Sequence, residues 1–122
     1  MNLLENAIAI AVQAHAGQLD KSGAPYILHP LRVMFGVSSE VEQIVAVLHD
    51  VVEDSEWTFE QLRAEGFSEP VLAALDCVTK RENEDYFEFI DRIKVNPLAI
   101  AEKITDLHDN MKLARIPNPT ER

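Results

Sequence analysis

The sequence predicts an all-α protein, a bundle of about six or seven helices, and three observations support this class. Apolar residues recur every three or four positions along most of the 122 residues, as in helices that bury one face. Ser39 with Glu42, and Thr58 with Gln61, have the spacing of capping boxes that begin helices. No segment shows the two-residue alternation of a half-buried strand, and there is no internal repeat. We expect residues 1–122 to form a single domain.

The first third of the chain predicts two helices separated by a loop. An amphipathic helix runs from residue 2 to about residue 17, where Gly17 ends it. His15, near its end, is interpreted as a structural residue rather than a ligand. Gly23 and Pro25 mark the loop that follows. The next helix continues to residue 36 and begins at Pro30, a residue suited to a first helical turn.

The central helix carries the most informative stretch, residues 44–54. Five apolar residues precede His49 and Asp50, and two more precede Glu53 and Asp54. If the helix is continuous, these four polar residues project from one side of an otherwise apolar element. One interpretation is a cation site, because a bound cation offsets the cost of burying several carboxylates. The other is a helix that reaches the surface, with solvated acids and His49 in the core.

The second half predicts four further helices. Thr58 begins a short helix that ends at residue 66, and Ser68 caps the next one. A polar connector, 79–85, leads to an amphipathic helix that starts with Tyr86 and Phe87 and breaks at 96–97. The last helix runs from 97 to about 114, followed by a tail, 117–120, whose prolines exclude a helical interior. Its predicted apolar side consists of Leu98, Ile100, Ala101, Ile104, Leu107 and Met111.

Composition and charge exclude several classes of function. The net charge of −10 disfavours a nucleic-acid backbone or an anionic membrane as partner. The single cysteine excludes an internal disulfide framework or a cysteine-based zinc cluster and favours a reducing compartment. The N-terminus lacks the basic segment of a signal peptide, and no apolar run approaches the length that crosses a bilayer. We therefore expect a cytoplasmic protein.

Four residues from three separate segments form a candidate metal-ligand set: His29, His49, Asp50 and Asp106. Mixed nitrogen and oxygen ligands suit Mn²⁺, Fe²⁺ or Zn²⁺ better than Ca²⁺. Scattered spacing of this kind does not by itself identify a site. Neighbouring helical residues also diverge by about 100°, so His49 and Asp50 could share an ion only from the edge of their helix.

The order His…His-Asp…Asp is that of the HD superfamily of metal-dependent phosphohydrolases. Three stretches resemble the hydrolase motifs of the RelA/SpoT family: KSGAPYILHPLRV at 21–33, LHDVVEDS at 48–55 and KITDLHDNM at 103–111. They appear in the family's order and extend over most of the chain. The length leaves no room for a synthetase domain, so the chain resembles a stand-alone small alarmone hydrolase of the stringent response.

The resemblance implies a helical, Mn²⁺-dependent enzyme that removes the 3′-diphosphate from guanosine tetraphosphate or pentaphosphate (ppGpp or pppGpp). The products would be GDP or GTP and pyrophosphate. It implies His29, His49, Asp50 and Asp106 as metal ligands. Glu53 and Asp54 match the catalytic acidic pair associated with activating water, and the sequence leaves open which of them is the base.

The resemblance also implies substrate-binding residues. Lys21, Ser22 and Tyr26 match the loop that lines the nucleotide pocket, and Asn110 matches a nucleotide contact. Chemistry alone, rather than a motif, adds Lys80 and Arg81 as candidates for contact with the diphosphate, although both could be solvated ends of the connector.

One departure from the family pattern keeps other functions open. The basic residue that usually precedes the Lys-Ser-Gly run is Asp20 here, and a carboxylate at that position disfavours an alarmone in particular. The alternatives are an HD phosphohydrolase acting on another nucleotide or phosphate ester, and a non-catalytic metal-binding or nucleotide-binding module. The retained Glu53 and Asp54 favour an enzyme. The expected partner is a small nucleotide, and a homo-oligomer is compatible with the sequence.

Overall fold

A computed structural model describes the backbone of residues 2–115 and the side chains of residues 2–111. The helices are α1 (Leu3–Ala14), α2 (Leu28–Phe35), α3 (Glu40–Leu48), α4 (Val51–Asp54), α5 (Phe59–Ala64), α6 (Glu69–Val78), α7 (Tyr86–Lys94) and α8 (Pro97–Arg115). Together α3 and α4 occupy the predicted central helix, so the described residues contain seven helices if the two are counted as one. The predicted all-α class is confirmed. The one β-type pairing among residues 2–115 is an isolated bridge within the loop before α2.

Side-chain capping residues begin two of the helices, α3 and α5, where the sequence predicts them. Ser39 and Glu42 form a complete capping box at α3, and Thr58 and Gln61 form one at α5. An equivalent box of Asp85 and Glu88, which was not predicted, begins α7. Ser68 occupies the predicted cap position of α6, but its side chain accepts no capping hydrogen bond, and Pro70 follows within the first turn. The predicted start of this helix is therefore correct, but Ser68 does not form the predicted capping hydrogen bond.

The predicted boundaries of the first two helices need correction. Helix α1 ends at Ala14, because the chain then turns through Gly17, whose φ of +82° favours glycine. Helix α2 begins at Leu28, so His29 lies inside its first turn rather than in the preceding loop. The predicted tail, 117–120, lies outside the described residues.

Helix α3 lies at the centre of the bundle. Its residues 44–48 are all buried, which confirms the prediction of a segment without a solvent face. It packs against α1, α2, α6 and α8. A smaller apolar cluster joins α6, α7 and α8 through Val78, Phe89, Ile93 and Ala99. Direct packing among α2, α3 and α8 holds these three helices next to one another.

Helix α8 does not bury the side that the sequence predicts. Among residues 97–111, the buried positions are Ala99, Glu102, Asp106 and Asp109, which follow one another at helical spacing. Ile104, Leu107 and Met111 are exposed instead. In α7, likewise, Tyr86 and Phe87 are exposed, and Phe89 and Ile93 face the core. Helix α8 is therefore oriented by a buried polar face, which periodicity of apolar residues cannot predict.

Within residues 2–115, no helix combines the length and apolar character that crossing a membrane requires.

Helices α2 and α8 approach closely where α2 ends. A Cβ atom added to Gly36 would lie 2.5 Å from Cγ2 of Thr105, well inside van der Waals contact. Thr105 is β-branched and therefore stiff, and its hydroxyl donates a hydrogen bond to the Ala101 carbonyl at 3.0 Å. The glycine thus permits the spacing of the two helices that carry His29 and Asp106.

We predict that Gly36→Ala lowers the free energy of unfolding by about 1–3 kcal/mol, the usual cost of overpacking. Thr105→Ser removes only the methyl group that clashes, so the double variant Gly36→Ala/Thr105→Ser should recover most of this loss. Urea unfolding of the wild type, both single variants and the double variant measures the coupling. Additive effects of the two substitutions would contradict the proposed contact.

Candidate metal centre

The central helix breaks at the His-Asp pair, which corrects the prediction of one continuous helix. Helix α3 ends at Leu48 and α4 starts at Val51, with a tight turn at His49 and Asp50 between them. In this turn the backbone N–H of His49 donates to the Ala46 carbonyl at 3.4 Å. His49 Nε2 lies 2.9 Å from Asp50 Oδ2, although helical geometry would make the two side chains diverge. The turn therefore places the side chains of His49 and Asp50 next to each other.

Helices α2 and α8 bring the other two predicted ligands to the same point. His29 Nε2 lies 2.8 Å from Asp106 Oδ1, and His49 Nε2 lies 3.6 Å from the same oxygen. One ligand atom from each of His29, His49 and Asp50 lies within 4.8 Å of the other two. The four residues predicted as metal ligands therefore form one cluster in the fold.

The donor atoms of this cluster fit a divalent metal ion. Both imidazoles are 4% exposed, so they are shielded from water. His49 Nε2 makes no hydrogen bond of acceptable geometry within the described residues, although it is buried and close to two carboxylates. A buried polar atom without a partner is costly, and a cation between the carboxylates would satisfy it. Two nitrogens and two oxygens suit Mn²⁺, Fe²⁺ or Zn²⁺.

Each histidine uses its Nδ1 atom away from the cluster. His49 Nδ1 lies 2.6 Å from the Ala46 carbonyl oxygen, to which it can donate as N–H. His29 Nδ1 lies 2.6 Å from Asp109 Oδ2, and Arg32 Nε donates to the other oxygen of this carboxylate at 2.7 Å. Such contacts fix the tautomer and the ring orientation and leave Nε2 for a metal. Asp109 and Arg32 were not predicted, although Asp109 follows Asp106 by one helical turn.

Glu102 is a second buried acid that the sequence analysis did not assign to the site. Its side chain is 1% exposed, both carboxylate oxygens lack a hydrogen-bond partner within the described residues, and Oε2 lies 3.7 Å from His49 Nδ1. Burial raises the pKa of Glu102 to about 7. Its position one turn before Asp106, on the same helix face, was the signal available in the sequence.

The carboxylates of the cluster are held in their ionised form. Burial opposes ionisation of Asp50, but the adjacent His49 lowers the pKa of this carboxyl to about 2, and the Tyr26 hydroxyl also donates to Asp50 Oδ2. Burial likewise opposes ionisation of Asp106, yet His29 and His49 hold the pKa of Asp106 well below its usual range. Burial opposes protonation of His29 and His49, but the adjacent carboxylates raise the pKa of both imidazoles. A bound divalent cation would replace these protons between the two ionised carboxylates.

Glu53 and Asp54 lie at the exposed edge of the site, on the one-turn helix α4. Desolvation by the surrounding protein raises the pKa of Glu53 and the pKa of Asp54. The negative charge of Asp50 adds to this effect. Glu53 Oε1 accepts a hydrogen bond from the backbone N–H of Lys80 at 2.9 Å. The backbone carbonyl of Asp54 accepts one from Gln18 Nε2 at 2.9 Å. Both residues are therefore tied to neighbouring parts of the fold.

The loop that carries Lys21, Ser22 and Tyr26 is organised by Asp20. The Asp20 carboxylate accepts hydrogen bonds from the N–H and the hydroxyl of Ser22, at 2.8 and 2.7 Å, and from the N–H of Ala24 at 3.0 Å. These bonds, the one from the Ser22 hydroxyl above all, lower the pKa of Asp20. Lys21 and Ser22 are exposed, and Tyr26 is the loop residue that contacts the cluster.

The other residues predicted to bind substrate lie at different distances from the cluster. Asn110 Nδ2 is 3.4 Å from Asp106 Oδ1 and is therefore adjacent to it. The Lys80 side chain is exposed, and the backbone N–H of Lys80 donates to Glu53. Arg81 is exposed too, and its guanidinium donates to Asp76 Oδ2 at 3.1 Å. The substrate-binding roles of these residues remain predictions.

We predict that Asp109→Asn lowers Mn²⁺ affinity by about 10–100-fold, the usual effect of losing an anionic partner of a ligand histidine. Isothermal titration calorimetry of the purified protein measures this affinity. Asp91→Asn is a matched control, because Asp91 is exposed and its ion pair in the structure is a 3.7 Å contact with Lys94. Equal affinities in the two variants would contradict the role of Asp109.

Comparisons with known proteins identify relatives along nearly the whole chain, although no family model matches it. The chain is 33% identical to the probable GTP pyrophosphokinase of Mycobacterium leprae, in a match that covers all of this chain and 17% of that protein. It is also 33% identical to the guanosine-3′,5′-bis(diphosphate) 3′-pyrophosphohydrolase of Aquifex aeolicus, with 89% of this chain and 17% of that protein covered. The chain thus spans about a sixth of the length of these curated relatives.

A solved structure shares the fold. It is that of a metazoan orthologue of SpoT described as hydrolysing ppGpp, with a TM-score of 0.79 and 23% sequence identity. The superposition covers 97% of this chain and 74% of the other. This structure supports the fold, and the sequence relatives show that the chain belongs to the RelA/SpoT family, as a homologue of one part of that family's longer members.

Proposed function

We propose that this protein is a divalent-metal-dependent phosphohydrolase that removes the 3′-diphosphate from ppGpp or pppGpp. The observation that carries this proposal is the cluster of His29, His49, Asp50 and Asp106, with Glu53 at its edge. Several curated relatives are named as 3′-pyrophosphohydrolases of this nucleotide. The donor set is compatible with Mn²⁺, Fe²⁺ and Zn²⁺, and we propose Mn²⁺ because the HD-type hydrolases that the motifs resemble use it.

Four side chains would hold the metal in this proposal: His29 and His49 through Nε2, and Asp50 and Asp106 through carboxylate oxygens. A bound divalent ion supplies a more acidic water and neutralises charge on the phosphoryl group that is transferred. Asp109 and the Ala46 carbonyl keep the two imidazoles in the required tautomer. Tyr26 fixes the orientation of Asp50 through its hydroxyl.

Glu53 acts as the general base in this proposal. The water oxygen bonds to the phosphorus that is attached to the ribose 3′ oxygen. The bond between this phosphorus and the 3′ oxygen breaks. Glu53 accepts a proton of the water, the 3′ oxygen gains a proton, and pyrophosphate leaves. We choose Glu53 over Asp54 because the Glu53 carboxylate is held by the backbone N–H of Lys80. The hydrogen bond from Gln18 to Asp54, by contrast, reaches the main-chain carbonyl and does not orient the Asp54 carboxylate.

One observation favours a second candidate, a phosphohydrolase acting on another nucleotide or phosphate ester. The Asp20 carboxylate lies in the loop that would line the nucleotide pocket, and a carboxylate repels phosphate groups. The overall charge of −10 acts in the same direction. A panel of nucleotides distinguishes the two candidates.

We predict that the Mn²⁺-loaded protein converts ppGpp to GDP and pyrophosphate, measured by chromatography of the products. A chelator should abolish turnover. Glu53→Gln should lower kcat by about 100-fold or more, because it removes the base, while its metal content stays unchanged. Glu60→Gln is a control on an exposed carboxylate that pairs with Arg63.

Two outcomes would contradict this proposal. Hydrolysis of another nucleotide but not of ppGpp would replace the substrate and implicate Asp20. Full activity of Glu53→Gln, with metal bound, would exclude Glu53 as the base.

A further inference from the structure

The peptide bond between Thr79 and Lys80 contacts the proposed base directly. Its N–H donates to Glu53 Oε1 at 2.9 Å. Its carbonyl, on the opposite edge of the same planar unit, accepts from Arg92 Nη2 at 2.9 Å. Arg92 and Glu53 are therefore linked through a single peptide group, although they lie on different helices.

Arg92 is held firmly in the position that this contact requires. Its Nη1 donates to the Asp76 carbonyl at 2.7 Å, near the end of α6. Nε and Nη2 donate to the two oxygens of Glu84 at 2.6 and 2.8 Å, in a forked ion pair. Glu84 Oε1 also accepts from the N–H of Arg81 at 3.1 Å. The side chains of Arg92 and Glu84 are only 19% and 8% exposed.

These contacts enclose the connector between α6 and α7. The guanidinium of Arg92 bonds to the Asp76 carbonyl in α6, to the Thr79 carbonyl at the start of the connector and to the Glu84 side chain near its end. These bonds hold the Thr79 carbonyl in a fixed direction. Because a peptide unit is planar, fixing the carbonyl of Thr79 also fixes the direction of the Lys80 N–H. A charged donor on the carbonyl polarises the peptide and strengthens the N–H as a donor.

We propose that Arg92 is a positioning residue for Glu53, acting through the Thr79–Lys80 peptide. The proposal rests on the function proposed above, since Glu53 is the base only in that account. It assigns a role in catalysis to a residue of α7, an element that contributes no ligand or acid to the cluster. Among the described residues, Arg92 donates to Asp76, Thr79 and Glu84 and to none of the four candidate ligands.

The proposal predicts a change in kcat and in its pH dependence. The N–H from Lys80 favours the ionised form of Glu53 and so lowers the pKa of Glu53 against the effect of burial. Without Arg92 this hydrogen bond weakens, the pKa of Glu53 rises, and a higher pH is needed to ionise the base. The acid limb of the kcat profile should therefore move to higher pH.

Arg92→Lys is the main test, because lysine keeps the positive charge but cannot bridge Glu84 and two carbonyls. We expect kcat to fall about tenfold, KM to stay within about twofold, and Mn²⁺ affinity to stay unchanged. Arg63→Lys is a matched control: Arg63 makes the same forked contact with Glu69, at 2.9 and 3.1 Å, far from Glu53 in the contacts described. It should change none of these quantities.

A double-mutant cycle distinguishes positioning from a general structural role. If Arg92 acts through Glu53, Arg92→Lys should have no further effect on the residual kcat of Glu53→Gln. Equal effects of Arg92→Lys in both backgrounds, or an unmoved acid limb in Arg92→Lys, would overturn the proposal. If Arg92→Lys does not fold, Glu84→Gln loosens the same guanidinium and should move the acid limb in the same direction by a smaller amount.

A measurement without substrate separates this proposal from the proposed function. In the NMR spectrum of the metal-free protein, the Lys80 amide proton should titrate with the pKa of Glu53. This titration should disappear in Glu53→Gln and weaken in Arg92→Lys. If the titration of the Lys80 amide is the same in both variants as in the wild type, the positioning proposal is wrong even if ppGpp is hydrolysed. If the Lys80 amide titrates as expected but no nucleotide is hydrolysed, the contact between Lys80 and Glu53 is supported and the proposed function is refuted.

Discussion

The contact between His29 on α2 and Asp106 on α8 is the interaction on which the rest of the structure depends. It joins two buried polar groups at 2.8 Å, and His49 and Asp50 complete the cluster from the end of α3. Burial of these groups is costly without partners. Gly36 lets the two helices approach, and Asp109 with Arg32 satisfies the far side of His29. The bundle thus provides a dry, rigid frame for groups that would otherwise be solvated.

Much of the fold could be predicted because its signals are local. Capping boxes begin α3 and α5, glycines follow α1 and α5, and an unbroken apolar run forms the buried part of α3. Helix α8 could not be predicted in this way, because its buried face carries Glu102, Asp106 and Asp109. Rules based on apolar periodicity fail where a site requires polar groups inside, and such failures are expected at functional sites.

The candidate site could be predicted only in part, for a similar reason. The motifs identified the four cluster residues, but spacing along the chain does not reveal the tight turn that aims His49 and Asp50 at one point. Asp109 and Glu102 lie one helical turn from Asp106, so their signal was present but unspecific. Arg92 gave no signal, because two of its contacts are to main-chain carbonyls, those of Asp76 and Thr79, which no side-chain pattern marks. Contacts of this kind depend on tertiary structure.

The most direct test of this account is pulsed electron paramagnetic resonance of the protein with one equivalent of Mn²⁺. The central claim is that two histidines from separate segments, His29 in α2 and His49 in the turn after α3, share one metal ion. The account predicts stoichiometric binding with nitrogen couplings from two imidazoles, and the loss of one coupling in either His29→Ala or His49→Ala. An ion surrounded by water and carboxylate oxygens alone, or couplings that survive both substitutions, would contradict it.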